Sequence, residues 1–485
     1  MTRAIVVGSG PNGLAAAIVL AQAGVAVDVY EAQPEPGGAA RTLPLTLPGF
    51  QHDFGSAVLP MAVSSPFFKS LPLAQYGLEW IHGDAPLAHP LDDGAVVLER
   101  DLATADRVLG MDGRRWRALL DPLLGPNLPA PNLPAPNTEH WDDFAVDALG
   151  PLLRFPRHPL RMARFALNGI QPAQWIARNE FESPRTRALF AGLAGHSCLS
   201  FDRPMSSAIA LVLAASLHAT GWPVPRSGSG ALTRALIAYL ESLGGKLHTS
   251  HPIDAAAWKD LATGNTITLF DTTPHMLVSI VRERITAPFL RAMQKFVAGP
   301  GAFKIDYALS QPVPWRSPEC RRAITVHIGG TYEEIAASED AVARGRCPER
   351  PFVLAAQPSL YDSTRAPEGK HVLWAYCHVP NGSATDMSAP IEAQIERFAP
   401  GFRDCILART VSTPASLEQR DANLVGGDIT GGAMTLRQFL YRPTLGGYAT
   451  GTPGVYLCSA STPPGGGVHG MCGVHAAKLA LKQMR

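Results

Sequence analysis

RAIVVGSGPNGLAAAIVL, residues 3–20, is the stretch on which the fold depends. Its short apolar run with β-branched residues is typical of a buried parallel strand, and the glycines that follow it directly open a helix. Gly8 permits the tight turn, Gly10 lets a pyrophosphate approach the backbone, and Gly13 lets helix and strand pack closely. The N–H groups and the dipole of the helix start favour a doubly negative phosphate bridge. The stretch therefore predicts a nucleotide-binding βαβ unit.

A second strand follows the helix and ends at Glu31, where a carboxylate can accept hydrogen bonds from both ribose hydroxyls of an adenosine. Gly37 and Gly38 come next and leave room for a cofactor to pass, and Arg41 can pair with a pyrophosphate. A surface turn with a solvated arginine is the alternative interpretation of this segment. The glycine pattern alone does not separate NAD from FAD, but the residues after Glu31 favour FAD.

The composition indicates a globular chain, because 17% of its 485 residues are charged and 46% are hydrophobic. This length allows two or three domains with substantial cores. The net charge of +1 gives no global attraction to nucleic acid, so no nucleic-acid partner is predicted. Seven scattered cysteines without C-x-x-C spacing argue against a disulfide framework and against a zinc site, so no metal is predicted either.

The apolar segments and the cysteines together predict a cytoplasmic location. The apolar run at the N-terminus is already the first strand of the fold, so a signal peptide is rejected. The stretch from Met205 to Ala219 is too short to span a bilayer and contains serines, which predicts a core helix. An odd number of cysteines without a pairing pattern fits a reducing compartment.

Cations alternate with apolar residues between positions 152 and 167, among them Arg154, Phe155, Arg161 and Phe165. A basic amphipathic stretch of this kind can lie on an anionic membrane surface. A solvated basic face, interrupted by two prolines, is the alternative interpretation. Peripheral membrane contact is therefore one prediction for this chain.

Strand and helix patterns divide the chain into a discontinuous nucleotide-binding domain and an inserted substrate-binding domain. The first is predicted at 1–100, 205–273 and 420–485, and the second at 101–204 and 274–419. Strand-like runs with alternating and aromatic residues predict a mixed or antiparallel sheet in the second domain. The repeated PNLPA sequence, rich in proline, predicts an extended surface insertion at 126–137.

The C-terminal stretch GVYLCSASTPPGGGVHG, residues 454–470, is the second informative block. A short buried strand is followed by a glycine-rich loop and then by a helix. Strand, loop and helix in this order place N–H groups where an electron-rich ring or an anion could sit. Residues without side chains here would let a flat ring lie against the backbone.

The chain resembles the FAD-dependent phytoene desaturase-like family within the flavin amine oxidase superfamily, and most of all a less characterised bacterial branch of it. The residues that carry the resemblance are the 8–13 loop, Glu31, GGAAR at 37–41, the segment from Pro225 to Leu232, and the 454–470 block. They extend over almost the whole chain in the order typical of the family. The resemblance implies an α/β fold: a Rossmann-like FAD-binding domain of the amine oxidase and phytoene desaturase-like type, with an inserted α+β substrate domain.

The resemblance also implies non-covalently bound FAD. The 8–13 loop and Arg41 would hold the pyrophosphate, Ile253 would lie beside the adenine, and the 465–470 loop would face the pyrimidine edge of the isoalloxazine. A helix N-terminus there can stabilise negative charge on a reduced flavin. The implied cofactor-binding residues are Gly8, Gly10, Pro11, Asn12, Gly13, Glu31, Ala32, Gly38, Ala39, Arg41, Gly55, Ser56, Ile253, Ser461, Gly467, Val468 and His469.

The predicted function is that of an FAD-dependent oxidoreductase that removes hydride from a lipophilic, isoprenoid-like substrate, at CH–CH bonds, or desaturates or isomerises it. Because the chain has one full dinucleotide fingerprint, oxygen or a quinone is the predicted electron acceptor. Carotenoid desaturases commonly have a proline where His469 stands, so the substrate class is open, and His469 is a candidate acid or base or merely a loop donor. The alternatives are a flavin amine oxidase, a redox-neutral flavin isomerase, and a prenyl-lipid carrier of the same fold without enzymatic activity.

Overall fold

The computed structural model describes residues 3–125, 138–151, 154–445 and 447–484. The proline-rich insertion predicted at 126–137 lies outside the described residues. The strands of the described residues are β1 Arg3–Val7, β2 Ala26–Tyr30, β3 Thr42–Leu43, β4 His52–Asp53, β5 Trp80–Ile81, β6 Ala85–Leu91, β7 Gly94–Leu98, β8 Val224–Pro225, β9 Lys246–His248, β10 Ile267–Phe270, β11 Gly301–Leu309, β12 Ala323–Ile328, β13 Val353–Ala356, β14 His371–Val379, β15 Ile406–Ser412 and β16 Val455–Leu457.

Helices connect these strands and form a separate layer between residues 102 and 220. Those in the described part of the chain are α1 Pro11–Gln22, α2 Pro60–Ser64, α3 Pro66–Lys69, α4 Ala105–Leu109, α5 Gly113–Leu124, α6 Glu139–Ala148, α7 Pro159–Gly169, α8 Ala173–Glu180, α9 Pro184–Gly195, α10 Ser206–Ala219, α11 Gly230–Ser242, α12 Ala255–Leu261, α13 Pro274–Val281, α14 Ala287–Met293, α15 Tyr332–Ala343, α16 Ser388–Phe398, α17 Pro414–Arg420, α18 Leu436–Leu440 and α19 Met471–Gln483.

The first sheet is parallel and has the strand order β16-β10-β1-β2-β9. Its central strand β1 is buried from Ala4 to Val7, which explains the continuous apolar run in the sequence. Helices α1 and α19 pack side by side, and a Cβ on Gly473 would lie 1.8 Å from the Asn12 carbonyl oxygen. The predicted Rossmann-like fold is confirmed, and both ends of the chain contribute to one sheet.

The second sheet is mixed and has the order β15-β11-β14-β13-β12-β6-β7. Its pairs are antiparallel except for β6 and β12, which are parallel. One face of this sheet packs its apolar side chains, such as Ile305, against α16, and the other face turns towards the helical layer. The sequence pattern predicted a mixed or antiparallel sheet in this part of the chain, and the sheet topology agrees.

The hairpin of β6 and β7 differs from the predicted domain division. Residues 1–100 were expected in the nucleotide-binding domain, but β6 pairs with β12, with Ala85 opposite Ala323, and so extends the second sheet. The physical reason is that β6 is buried on both sides of the strand, so that it fits between β12 and β7 rather than at a solvated edge. The other predicted boundaries stay predictions.

The helical layer has a core of large aromatic and aliphatic side chains. Trp116, Trp141 and Phe190 are fully buried there, and α10, which was predicted as a core helix, lies in the middle of the layer. Across the described ranges, no helix combines the length and the apolar character needed to cross a membrane.

Candidate active site

The glycine loop between β1 and α1 closes tightly around Asp271. Gly8 has a φ of +100°, and the Gly13 amide donates a hydrogen bond of 2.8 Å to Asp271 Oδ2. A Cβ on Gly10 would lie 2.6 Å from the same carboxyl oxygen. Asp271 follows β10 directly, so the ends of two neighbouring parallel strands meet at the N-terminus of α1. The loop therefore has no room for a side chain at Gly10.

Glu31 lies beside this loop at the end of β2. Its Oε2 atom accepts hydrogen bonds from the Ser9 amide at 3.0 Å and the Ser9 hydroxyl at 2.6 Å, and its Oε1 atom accepts one from the Gln33 amide. A carboxylate has about four acceptor positions, so these bonds fix its orientation without using all of them. Ala32, the next residue, is exposed at the end of the strand.

Arg41 is a buried cation with no carboxylate within ion-pair distance among the described residues. It is 5% exposed, donates to the Gly38 carbonyl at 2.7 Å and the Arg420 carbonyl at 2.9 Å, and lies over the Phe54 ring. A Cβ on Gly38 would lie 3.2 Å from the Gly10 Cα atom, so this arginine is next to the glycine loop. A buried guanidinium without an anionic partner is energetically costly, and its position favours binding of an anion there.

Two buried carboxyl groups are also near the loop. The pKa of Asp271 is raised to about 7, chiefly by burial and further by the neighbouring carboxyls of Asp421 and Glu31, although the hydrogen bond from Gly13 lowers it. Burial likewise raises the pKa of Asp421, whereas the Asn423 amide and Arg41 lower it. Both groups therefore hold a proton at a higher pH than an ordinary aspartic acid and are compatible with a nearby anion.

The remaining predicted residues of the N-terminal half lie close to the same loop. Both Gly55 and Ser56 donate their amide hydrogens to the Ala39 carbonyl, and a Cβ on Gly55 would lie 2.6 Å from that oxygen. The His251 amide donates to the Glu31 carbonyl, which brings the segment with Ile253 beside the end of β2. The structure thus brings these residues together around Glu31 and Gly38.

The C-terminal loop before α19 has an unusual backbone. Gly467 has a φ of +135°, and Val468 has a φ of +54°, a conformation that β-branched residues rarely adopt. Ser461, at the start of the loop, is buried and donates its amide hydrogen to the Ser459 hydroxyl. Strained conformations of this kind are often found at functional sites, where the surrounding structure holds them in place.

His469 is a neutral, buried imidazole in this loop. It is 2% exposed, and burial together with the charge of His475 lowers its pKa to about 4. Its Nδ1 atom accepts a hydrogen bond from the Met471 amide at 3.0 Å, so the proton of the neutral ring is on Nε2. This Nε2 atom has no hydrogen-bond partner among the described residues. His469 can therefore donate a hydrogen bond, whereas its predicted role as an acid or base stays a prediction.

The comparisons with known proteins agree with this architecture. Residues 6–71 match the family model of the NAD(P)-binding Rossmann-like domain. A mouse protein, pyridine nucleotide-disulfide oxidoreductase domain-containing protein 2, is 25% identical over 99% of this chain and 94% of its own. The neurosporene-forming phytoene desaturase of Rhodobacter capsulatus is 28% identical over 31% of this chain and 30% of its own. Wild-type putrescine oxidase bound to putrescine shares the fold, with a TM-score of 0.60 and 16% identity over 100% of this chain and 99% of its own.

The Rossmann-like domain match, the desaturase relatives and the oxidases that share the fold together support an FAD-dependent amine oxidase and phytoene desaturase-like family for this chain. Several observations in the structure fit the flavin dinucleotide that the family name implies. Among the described residues, no carboxylate lies within ion-pair distance of Arg41. The Asn12 Oδ1 atom at the helix start and the His469 Nε2 atom at the other end of the site are buried without a hydrogen-bond partner there. A dinucleotide that extends from Glu31 past α1 to the C-terminal loop would supply partners for these groups.

Two residues of this amine oxidase and desaturase-like site were not predicted from the sequence. Asp271 could have been found, because it follows a strand of the parallel sheet at the edge where such sheets bind ligands. Arg442 had no sequence signal. Its guanidinium is buried and donates to the carbonyls of Thr430, Gly431 and Ala460, which fixes the C-terminal loop against the segment before it.

Proposed function

We propose that this chain is an FAD-dependent oxidoreductase that takes hydride from a lipophilic, isoprenoid-like substrate at a CH–CH bond. The observation that carries the cofactor part is the buried guanidinium of Arg41, which lies beside the glycine loop without an anionic partner. Bound FAD supplies hydride acceptance at its isoalloxazine ring.

The side chains around the site have distinct tasks in this proposal. Arg41 and the N-terminus of α1 bind the two phosphates, and Glu31 accepts hydrogen bonds from the ribose hydroxyls. His469, as a neutral donor, holds a hydrogen bond at the ring end of the site through Nε2. The tight packing of Gly10 and Gly13 excludes water from the phosphates on the protein side.

The second sheet supports a neutral substrate rather than an amine. The segment 420–428 joins the two regions, because Arg41 donates to the Arg420 carbonyl and Gly427 packs against β11. On the sheet face turned this way, Asp306 pairs with Lys304, and the imidazole of His378 pairs with Glu339 of the neighbouring helix α15. A protonated amine that is held by charge needs an unpaired carboxylate. A neutral lipophilic molecule does not, and the rings of Trp374 and Tyr376, 5.0 Å apart on β14, offer it an apolar surface.

The test is a visible absorption spectrum of the purified protein, followed by anaerobic reduction with a panel of isoprenoids and amines. We expect bound flavin, and bleaching of its visible band by isoprenoid compounds. Bleaching by amines alone would support the flavin amine oxidase instead. A colourless protein that cannot be reconstituted with FAD would contradict the proposal and support the lipid carrier. Reoxidation rates with oxygen and with a soluble quinone would then identify the electron acceptor.

We also propose that the enzyme contacts membranes peripherally through α7 and the residues before it. Phe155 and Leu160 are each 80% exposed, and Leu167 lies one and a half to two turns beyond Leu160 on the same face of the helix. Arg157 and Arg164 are exposed beside them. Exposed apolar side chains among cations fit the interface of an anionic bilayer.

Flotation with anionic liposomes at low salt tests this contact. We expect binding that Leu160→Asp combined with Leu167→Asp reduces about tenfold or more, since each buried apolar side chain contributes about 1 kcal/mol or more. Met111→Asp, which changes an exposed methionine elsewhere, is the matched control. Equal flotation of all three proteins, or no flotation of the unchanged protein, would contradict the contact.

A further inference from the structure

A cysteine, a histidine and a glutamate from three separate elements form a hydrogen-bonded row away from the glycine loops. Cys198 follows α9, His378 is on β14, and Glu339 is on α15. Cys198 Sγ lies 3.3 Å from His378 Nε2, and His378 Nδ1 lies 2.9 Å and 3.1 Å from the two carboxylate oxygens of Glu339. This is the order of nucleophile, base and orienting acid that activates cysteines in covalent catalysis.

The charges in this row favour an imidazolium beside a thiolate. Glu339 faces Nδ1 with both oxygens, so Nδ1 carries a proton. Burial lowers the pKa of His378, but Cys198 and Glu339 together outweigh burial and raise that pKa well above its usual value. A doubly protonated ring then donates through Nε2 to the sulfur, which is the arrangement that lowers the energy of a thiolate.

The other groups that face the row are uncharged. Tyr376 contacts the His378 ring edge to face, with 5.6 Å between ring centroids, and burial raises the pKa of Tyr376 well above its ordinary value. His196 lies two residues from Cys198 and hydrogen-bonds to His327 at 3.0 Å, and burial lowers the pKa of His196 to about 3. Glu339 is therefore the carboxylate that balances the imidazolium within this group of residues.

The backbone presents the sulfur in a way that a purely structural cysteine does not need. Cys198 has a φ of +54°, a left-handed conformation that is uncommon outside glycine. The turn follows the end of α9 directly and aims the side chain at β14 instead of continuing along the helix. Strained conformations of this kind are often found at functional sites, and here the turn holds a buried sulfur against the imidazole of His378.

We propose that Cys198 is a nucleophilic thiolate that binds conjugated enals and enones covalently. The thiolate electron pair forms an S–C bond at the β-carbon of the electrophile, and the C=C pair shifts so that the carbonyl oxygen becomes an enolate. The proton on His378 Nε2 goes to that oxygen, which leaves a neutral imidazole and an enol that converts to the saturated carbonyl. No electrons are gained or lost overall. A carbon electrophile suits this site because the addition needs only the sulfur nucleophile and one proton donor, and Cys198 and His378 supply both.

Cys347 is the natural comparison within the same chain. It is half-buried, and its Sγ atom lies 3.3 Å from the Ser383 hydroxyl without an imidazole partner. Cys198 is itself buried, as are the remaining five cysteines: Cys320, Cys377, Cys405, Cys458 and Cys472. Labelling of the folded protein can therefore compare an ion-paired thiol with an ordinary one.

The experiment measures the rate of alkylation by iodoacetamide in the folded, full-length protein as purified, with each cysteine followed by peptide mass spectrometry. At both about pH 6 and about pH 8, Cys198 should be labelled at least as fast as the half-buried Cys347, because the imidazole of His378 faces its sulfur. His378→Gln should slow Cys198 at least about tenfold at the lower pH, and Glu339→Gln by less, with Cys347 unchanged as the control for folding. trans-2-Hexenal should add to Cys198 of the unchanged protein and should not add to Cys198 of the His378→Gln variant.

Two results would overturn the proposal. One is a Cys198 labelling rate that His378→Gln leaves unchanged at the lower pH. The other is a Cys198 that reacts with neither reagent until the protein is unfolded, as judged by circular dichroism on the same samples. Because both readouts are covalent labels and not turnover, they do not depend on whether the proposed flavin chemistry is correct.

Discussion

The glycine-loop region and the polar face of the second sheet both bury charged groups, but only those at the second sheet have ion-pair partners within the protein. Among the described residues around the glycine loop, no carboxylate lies within ion-pair distance of Arg41, whose nearest negative charges are Asp421 and Glu31, and no cation pairs with the carboxyl of Asp271. On the sheet, Lys304 pairs with Asp306 within β11, and beside the sheet Arg365, which precedes β14, pairs with Asp53 of β4. Because an unpaired buried charge is costly, the unmatched region is the one that awaits a charged ligand. The matched region completes its electrostatics within the protein.

The largest expected effect comes from adding a side chain to the glycine loop of the unmatched region. Gly10→Val should abolish flavin retention, with an affinity loss of at least about a hundredfold, because the new Cβ would meet Asp271 Oδ2 at 2.6 Å. The ratio of visible to ultraviolet absorbance after purification measures this. Gly24→Asn is the control, since a Cβ there meets nothing within 4 Å and asparagine tolerates the φ of +79°. A Gly10→Val protein that stays fully yellow would show that the phosphates lie elsewhere.

The second prediction compares one arginine from each region. Arg365→Met leaves the buried Asp53 carboxylate without its partner at 2.8 Å and should lower the free energy of unfolding by about 3–5 kcal/mol. Arg41→Met removes a cation that has no such partner, so the free energy of unfolding of the flavin-free protein should fall much less. Urea unfolding of both flavin-free proteins measures the difference. An equal fall in the free energy of unfolding of both variants would mean that Arg41 has an anionic partner in the flavin-free protein.

The same Arg41→Met protein should bind flavin more weakly. A charge-assisted hydrogen bond to a phosphate contributes about 1.5–3 kcal/mol, which corresponds to roughly a tenfold to hundredfold loss of affinity. Titration of the flavin-free protein with FAD, followed by fluorescence, measures it. Arg365→Met, titrated at a temperature where it is folded, is the control and should retain most of its affinity.

The third prediction concerns the dependence of stability on pH. The pKa of Asp271 in the folded protein, about 7, lies above the ordinary value of 3.8 for an aspartic acid, so the folded state holds a proton that the unfolded state has released. Stability should therefore fall as the pH rises towards 7, and this group contributes roughly 2–3 kcal/mol between about pH 5 and pH 8. Asp271→Asn should remove that part of the slope and be relatively more stable at the higher pH. Parallel unfolding curves for both proteins at both pH values would contradict the assignment.

The sequence was informative where a backbone rule links residue type to position. The spacing of Gly8, Gly10 and Gly13 after a β-branched run can be read directly, because the turn and the helix start require it. The mixed topology of the second sheet was also expected from alternation along the strands. Both depend on local patterns.

What could not be predicted depends on contacts between distant segments. Cys198, His378 and Glu339 are separated by up to 180 residues, and no spacing in the sequence brings them together. The hairpin of β6 and β7 was assigned to the other domain, because its partner β12 comes more than 200 residues later. The absence of an ion-pair partner for Arg41 likewise becomes visible only once the positions of all neighbouring side chains are known. Long-range pairing, rather than composition, decides these features.

The smallest expected effect concerns His469, the neutral counterpart of the charged His378. Both rings are buried, but His469 accepts from a backbone amide while His378 faces a carboxylate, and their pKa values move in opposite directions. With a pKa of about 4, His469 does not titrate in the neutral range, so its side chain should act only as a donor. His469→Gln retains an N–H donor and should change the rate of flavin reduction less than about threefold, with an unchanged pH profile, whereas His469→Leu should slow it about tenfold. Stopped-flow reduction across the pH range measures this. If the rate of flavin reduction changed between about pH 6 and pH 8 and this change disappeared in His469→Gln, His469 would titrate in the neutral range, and the proposed role as a neutral donor would be wrong.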